Sequence, residues 1–338
     1  MKASVAAIEY HLPEQRLTNE QLAREFPEWT VEKIAEKTGI AERRIAREDE
    51  CSSDLGVAAA RKLFESGVCQ PGDIDYILFC TQSPDHFLPT SACTMQHRLG
   101  VPTSAGALDF NLGCSGYVYG LGLSKALVES GQATNLLLVT AETYSKFIHP
   151  GDKTVRTLFG DAGTATLVRG LGRDEECIGP FVYGTDGSGA NNLIVPTGGM
   201  RRRLAPEGEE AMLDADGNLR SESNLYMNGP EIFSFTIRAV PKVVQELLAR
   251  TGKSLGDIDL YIFHQANQYM LEHLRKKLKI PAEKFFVGLR DCGNTVSCTI
   301  PIGLKQAAAA GRIRPGNLVM LVGFGVGYSW GATLVRWE

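Results

Sequence analysis

Apolar residues in this chain fall in short runs that recur in a fixed order. A surface turn and a strand-like run read GDIDYILFCTQ from Gly72, and the same device reads GDIDLYIFHQA from Gly256, 184 residues later. TNLLLVTAE around Leu136 is matched by GNLVMLVGF around Val319, and ATLVR occurs at 165–169 and again at 332–336. Three matches in the same order describe two copies of one unit. Each copy predicts a strand (YILFC, YIFHQ), a helix (SACTMQHRLG, YMLEHLRKKL) and a short strand (GALDFNL, KFFVGL). A helix rich in small residues follows (SGYVYGLGLSKALVESG, IPIGLKQAAAAGRI), then a very apolar strand (NLLLVTA, LVMLVGF) and a last strand (TATLVRG, WGATLVRW). Strands alternating with helices predict an α/β protein with mostly parallel sheets covered on both faces. The halves are expected at 1–172 and 173–338, packed as one compact unit. The helix pattern LTNEQLAREFPEW and the polar segment at 197–223 have no counterpart. The latter is rich in Gly, Pro and Asp-Gly turn signals and reads as a surface excursion.

Composition narrows the function classes. With 338 residues, 43% of them hydrophobic, the chain can bury a large core. A formal net charge of −4 offers no global positive field to nucleic acid or anionic lipid. No apolar run approaches the ~18 residues of a membrane span, and Glu9 interrupts the N-terminal apolar residues too early for a secretory signal. Eight cysteines without a CxxC pair suggest neither a disulfide framework nor a zinc site, so a cytoplasmic protein with reduced thiols is expected. The glycines of GFGVGYSWG follow one strand and precede another, which excludes a dinucleotide fingerprint.

The two copies differ where strands meet helices. The first carries GCSG, which puts Cys114 at the start of the small-residue helix, where the helix dipole favours thiolate. The second carries DCGNTVSC at the matching junction, with Asn294; Cys292 and Cys298 beside it read as structural. At the other junction Cys80 in the first copy is replaced by His264 in the second. A lone cysteine or histidine at such a place is ordinarily structural. If the copies pack about a pseudo-twofold, however, Cys114, His264 and Asn294 meet at C-terminal strand edges, where open α/β sheets bind ligands.

Several motifs then carry a family resemblance: EKTGIAERRIA (36–46), NLGCSGYVYGL (111–121), LFGDAGTATLV (158–168), LYMNGPEIF (225–233), HQAN (264–267), GNT (293–295) and GFGVGYSWGATLVRW (323–337). Nearly end to end, the sequence resembles the 3-oxoacyl-(acyl-carrier-protein) synthase III family of the thiolase superfamily. The resemblance implies a thiolase-like fold of two pseudo-symmetric halves layered α/β/α/β/α. It implies a homodimeric acyltransferase of fatty-acid biosynthesis that joins an acyl thioester primer to malonyl on the acyl carrier protein, with loss of CO₂. In that reading Cys114 holds the acyl group, His264 and Asn294 stabilise the enolate, and the backbone N–H groups of Cys114 and Val326 receive the oxyanion.

For substrate, the resemblance points to Phe233 and Asn267 along the pantetheine tunnel, and to Phe87 or Leu88 as the residue that reaches into the partner's acyl pocket. The family's coenzyme A clamp falls on Lys33 and Lys37, with Lys153 in place of an arginine. Carrier docking would use Arg275, Lys276 and Lys277. No metal or redox cofactor is expected; coenzyme A or carrier thioesters serve as substrates. Two alternatives remain at this point: acyl transfer to an oxygen, nitrogen or other acceptor in a specialised pathway, and a non-catalytic partner of an active homologue.

Overall fold

The computed structural model describes residues 1–172 and 174–338. The expected boundary between the halves falls on residue 173, which lies outside the described residues. The first sheet contains β1 (Lys2–His11), β2 (Tyr76–Cys80), β3 (Gly106–Phe110), β4 (Asn135–Glu142) and β5 (Ala162–Leu171) in the order β1-β5-β4-β2-β3. The second contains β6 (Ile178–Thr185), β7 (Leu260–Phe263), β8 (Leu318–Gly325) and β9 (Ser329–Arg336) in the order β7-β8-β9-β6. In the first sheet β4, β2 and β3 run parallel, while β5 is antiparallel to β4 and β1 to β5. In the second β7 and β8 are parallel, while β9 is antiparallel to β8 and β6 to β9. Both sheets are therefore mixed where mostly parallel ones were expected.

The order matches between sheets except at one edge. The run KFFVGL, predicted as a strand, forms only a single parallel bridge between Tyr261 and Phe285. The side chain of Gln265 takes the ladder's place there. Its Oε1 accepts from Gly288 N–H at 2.9 Å, and its Nε2 donates to the Phe263 and Phe286 carbonyls. Once a side chain satisfies those backbone groups, no strand is needed.

Side-chain alternation sorts the residues into layers. Leu136 and Leu138 of β4, Leu260 and Ile262 of β7, and Val319 and Leu321 of β8 share one core. That core also holds α3 (Gly116–Glu129) and α6 (Thr299–Ala309), which therefore lie between the sheets. The intervening residues Leu137 and Val139 pack outward with α1 (Ser52–Glu65) and α2 (Ser91–Leu99). Met320 and Val322 pack outward with α4 (Gly229–Thr251) and α5 (Gln268–Lys277). The result is five layers, α/β/α/β/α. Residues 264 and 80 have the parity of the inward-facing set, so each strand hands its next side chain to the central layer.

The second sheet comes into close backbone contact with the start of α3. A Cβ added to Gly323 of β8 would lie 2.8 Å from the Ser115 Cα and 2.9 Å from the Cys114 carbonyl oxygen. Backbone cannot yield as a side chain can, so Gly323→Ala should lower stability by about 1–3 kcal/mol. Gly72→Ala, where the added Cβ meets nothing, should stay within about 0.5 kcal/mol of the parent. Urea midpoints for both variants check this.

Candidate functional site

Cys114 lies just before α3, 5% exposed. Its neighbours across the chain are glycines: a Cβ on Gly325 would fall 2.8 Å from its sulfur. The N–H groups of Val326 and of Cys114 itself both aim at Sγ. Around it lies an apolar cluster of Tyr144, Val155, Phe159, Leu193, Leu225 and Val296. That burial pushes the thiol up to about 12, against the two N–H groups, which favour the thiolate. Where a thiolate was expected at the helix start, burial outweighs the two N–H bonds and the resting group is a thiol.

His264 and Asn294 are also buried. His264 N–H donates to the Val322 carbonyl, extending β7 along β8 by one residue. Its ring stands edge-on to Phe324, and burial pushes the imidazole down to about 3, so it is neutral. Nδ1 lies 2.8 Å from Thr299 Oγ1. Asn294 is held by its backbone, which bonds the Leu158 carbonyl (2.9 Å) and the Gly160 N–H (3.0 Å). The GNT and LFGD motifs are thus joined as a parallel bridge between the halves.

Val296 ties these groups together. It is β-branched yet has φ +54°, in the left-handed region that costs such residues about 1–3 kcal/mol. That conformation turns its N–H onto Asn294 Oδ1 at 2.9 Å, which leaves the Asn294 Nδ2 hydrogens for the chamber. Its carbonyl lies 3.1 Å from Thr299 Oγ1 and within bonding reach of the His264 ring. Val296 belongs to the Cys114 cluster. Cys114, His264 and Asn294 therefore gather around Val296, whose surroundings form the candidate chamber.

Beneath it lies Glu142, fully buried, accepting from Gln82 N–H, Ser83 Oγ and Ser297 Oγ at 2.9–3.2 Å. Burial pushes its carboxyl up to about 8 despite those three donors. Asp161 of the LFGD motif accepts from Ala46 N–H and from Ser145, tying the 36–46 motif to the chamber wall. The fully buried Arg43 bonds Asn19 and the Thr157 carbonyl, and burial lowers it to about 9. None of Val296, Thr299, Glu142, Asp161 or Arg43 was named from sequence as part of the site. Their only signal was membership in the quoted motifs or in the residues just after them.

The expected substrate and docking residues are spread around this centre. Phe233 packs against Tyr269 and His273 of α5, with ring centroids 5.7 and 5.2 Å apart. Asn267 caps that helix through Oδ1 to Met270 N–H (2.8 Å). The Lys33 and Lys37 ammoniums sit 5.3 and 5.0 Å from the Trp29 ring centre. Lys153 is engaged with Glu28 at 2.7 Å, with Gly217 of the 197–223 excursion beside it. Phe87 and Leu88 are 76% and 82% exposed. Arg275 is forked onto Glu272 and bonds the Ile280 carbonyl, and Lys277 bonds the Ile237 carbonyl. Lys276 and Lys277 are both exposed, and Lys276 makes only a loose 3.5 Å contact to Glu272. Among the described residues no cluster fit to hold a metal ion is present, and no helix is long and apolar enough to cross a membrane.

The fold is thiolase-like, and the class is acyltransferase. Residues 108–187 match the family model of 3-oxoacyl-[acyl-carrier-protein (ACP)] synthase III, and residues 248–337 match the model of its C-terminal part. The β-ketoacyl-[acyl-carrier-protein] synthase III of Caldanaerobacter subterraneus subsp. tengcongensis is 35% identical over 331 residues, 97% of this chain and 96% of that one. That of Syntrophomonas wolfei is 36% identical and covers 100% of this chain and 98% of its own. A solved 3-oxoacyl-(acyl-carrier-protein) synthase III superposes with a TM-score of 0.98 at 53% identity over the whole of both chains. The 3-oxoacyl-(acyl-carrier-protein) synthase of Burkholderia xenovorans LB400 superposes at 0.91 with 35% identity, over 100% of this chain and 95% of that one. The chain belongs to the 3-oxoacyl-(acyl-carrier-protein) synthase III family, and it is an enzyme of that type.

Two pH responses follow from the burial of the site. Cys114 should react with iodoacetamide about tenfold faster per pH unit from pH 7 to 9 without levelling, because thiolate is scarce throughout that range. Intact mass against time reads this, and a plateau below pH 8 would mean that thiolate already predominates. Glu142 keeps a proton in the native state up to about pH 8, while the unfolded chain sheds it near 4.5. This group therefore makes stability fall as pH rises from about 5 to 8. Glu142→Gln should flatten that slope in urea melts across the same range.

Proposed function

We propose that Cys114, His264 and Asn294 perform the decarboxylative condensation of an acyl thioester primer with malonyl-ACP, giving a 3-oxoacyl-ACP. In the first half-reaction the Cys114 sulfur attacks the primer carbonyl. The carbon–sulfur bond to the departing group breaks, and the thiol proton leaves with that group. The oxyanion of the tetrahedral intermediate is received by the N–H groups of Cys114 and Val326, which aim at the sulfur's own position. Because these donors are fixed before substrate arrives, a neutral thiol can serve. Its negative charge develops only where the donors already point.

In the second half-reaction the malonyl carbonyl lies against His264 Nε2–H and Asn294 Nδ2–H. The bond to the carboxylate breaks, CO₂ leaves, and its electron pair passes into the enolate that these two groups stabilise. The enolate carbon attacks the acyl-cysteine. Collapse frees the Cys114 thiolate, which takes one proton from water. Side chains and backbone N–H groups supply every step, so the scheme needs no metal or redox cofactor. The observation that carries this reading is Val296, which holds Asn294 through its N–H, meets Thr299 and His264 at its carbonyl, and packs beside Cys114.

Similarity to synthase III over the whole chain does not favour acyl transfer to oxygen or nitrogen, or a non-catalytic partner. A homodimer is supported by the edge strand β3, paired among the described residues only with β2, and by the exposed Phe87, Leu88, Leu108, Leu123 and Tyr183. We assign carrier docking to the α5 face that carries Arg275, Lys276 and Lys277, with the two exposed lysines as its contact groups. The chemistry fits a cytoplasmic enzyme whose thiols stay reduced.

Intact-protein mass spectrometry with a panel of acyl-CoA and acyl-carrier thioesters tests the scheme. The parent should gain one acyl mass, and Cys114→Ala should gain none. His264→Ala should still acylate but release CO₂ from malonyl thioester about 10²–10³-fold more slowly. Equal loss in both half-reactions would assign His264 elsewhere.

A further inference from the structure

His264 and Thr299 stand in the second half where Cys80 and Gly116 stand in the first. His264 and Cys80 end the matching strand runs, and Thr299 and Gly116 are the first residues of α6 and α3. In the first half the Cys80 thiol donates to the Leu112 carbonyl at 3.0 Å and lies so close to Gly116 that a Cβ would not fit. In the second half a hydroxyl fills that place, 2.8 Å from the imidazole Nδ1, both groups buried. The half that carries the imidazole is also the half whose helix opens with a hydroxyl.

A neutral imidazole has one ring hydrogen, and its position depends on what the other nitrogen bonds. The scheme above needs that hydrogen on Nε2, facing the chamber, so Nδ1 must accept. Two groups bond the ring. The Val296 carbonyl can only accept, and it would draw the ring hydrogen toward itself. The Thr299 hydroxyl has one hydrogen and two acceptors in reach, the Val296 carbonyl at 3.1 Å and Nδ1 at the shorter 2.8 Å; given to Nδ1, it leaves the ring hydrogen on Nε2. We propose that Thr299 is a positioning residue whose hydroxyl donates to His264 Nδ1 and so selects the Nε2–H tautomer that stabilises the enolate. The inference rests on the functional reading given above.

Thr299→Val keeps the shape and removes the donor, and Thr299→Ser restores it. With ¹⁵N-labelled histidine, NMR of the full chain should show His264 as Nε2–H in the parent and in Thr299→Ser, and as Nδ1–H in Thr299→Val. Release of CO₂ from malonyl thioester should fall about 10²-fold or more in Thr299→Val, the scale of losing an oxyanion donor. It should stay within about threefold of the parent in Thr299→Ser, while self-acylation should change little in either. An Nδ1–H parent, or a Thr299→Val enzyme that keeps Nε2–H and full decarboxylation, would overturn the proposal. Equal loss of both half-reactions with an unchanged tautomer would also overturn it, by marking Thr299 as merely structural. Normal decarboxylation by His264→Ala would instead overturn the functional reading and leave the NMR result to stand on its own.

Discussion

Everything at the centre of this molecule depends on how closely β8 can approach the start of α3. Gly323 and Gly325 are successive same-face residues of β8, and at both a side chain would collide with Cys114 or Ser115. Without Cβ atoms there, the second sheet slides over the helix N-terminus until the Val326 N–H reaches the Cys114 sulfur. The Ser115 and Ser329 hydroxyls, 2.5 Å apart, fasten the same junction from the side. The contact joins the nucleophile of one half to the loop of the other, so the chamber exists only when both halves are packed.

That packing also explains why the chamber is electrically quiet. Burial raises the Cys114 thiol, lowers the His264 imidazole and raises the Glu142 carboxyl, each toward its uncharged form. None of these three then carries a fixed charge that competes for the donors. The N–H groups at the sulfur, the Asn294 amide and the imidazole are oriented dipoles in a dry site, where they act most strongly on charge that develops during reaction. The left-handed Val296 is the strain that this orientation requires: relaxing it would turn its N–H away from Asn294. A site of this kind gains rate from geometry, which is why its supporting residues are held as firmly as the reacting ones.

The layered fold was legible because alternation along β2, β4, β7 and β8 survives in the sequence, and because the repeat revealed which elements correspond. Cys114, His264 and Asn294 were legible as a constellation since each falls where the copies differ. The missing edge strand was not legible: KFFVGL has a strand's apolar pattern, and only the tertiary position of Gln265 shows that a side chain replaces the ladder. The protonation of Cys114 was misread because a helix start is visible in sequence and a surrounding apolar cluster is not. The pairing of Arg275 with Glu272 was hidden for the same reason, since the fork between them is a matter of side-chain geometry in the folded helix.

The repeat shows how one α/β unit is turned to two tasks. Asn111 and Asn294 lie 183 residues apart at matching junctions. Asn111 is exposed and accepts from Gln82, whereas Asn294 is buried and fixed by Val296. Cys80 and His264 share a strand position, yet only the second is a strong hydrogen-bonding group. The first half keeps small residues at Gly113 and Gly116, so that the chain can pass close beneath Gln82, Val326 and Cys80. The second half fills the corresponding region with Val296 and Thr299, which bond instead of making room. One copy thus presents a nucleophile on a tightly packed helix start. The other presents donors held by bonded side chains, and the pseudo-twofold packing turns the two faces toward each other across one chamber.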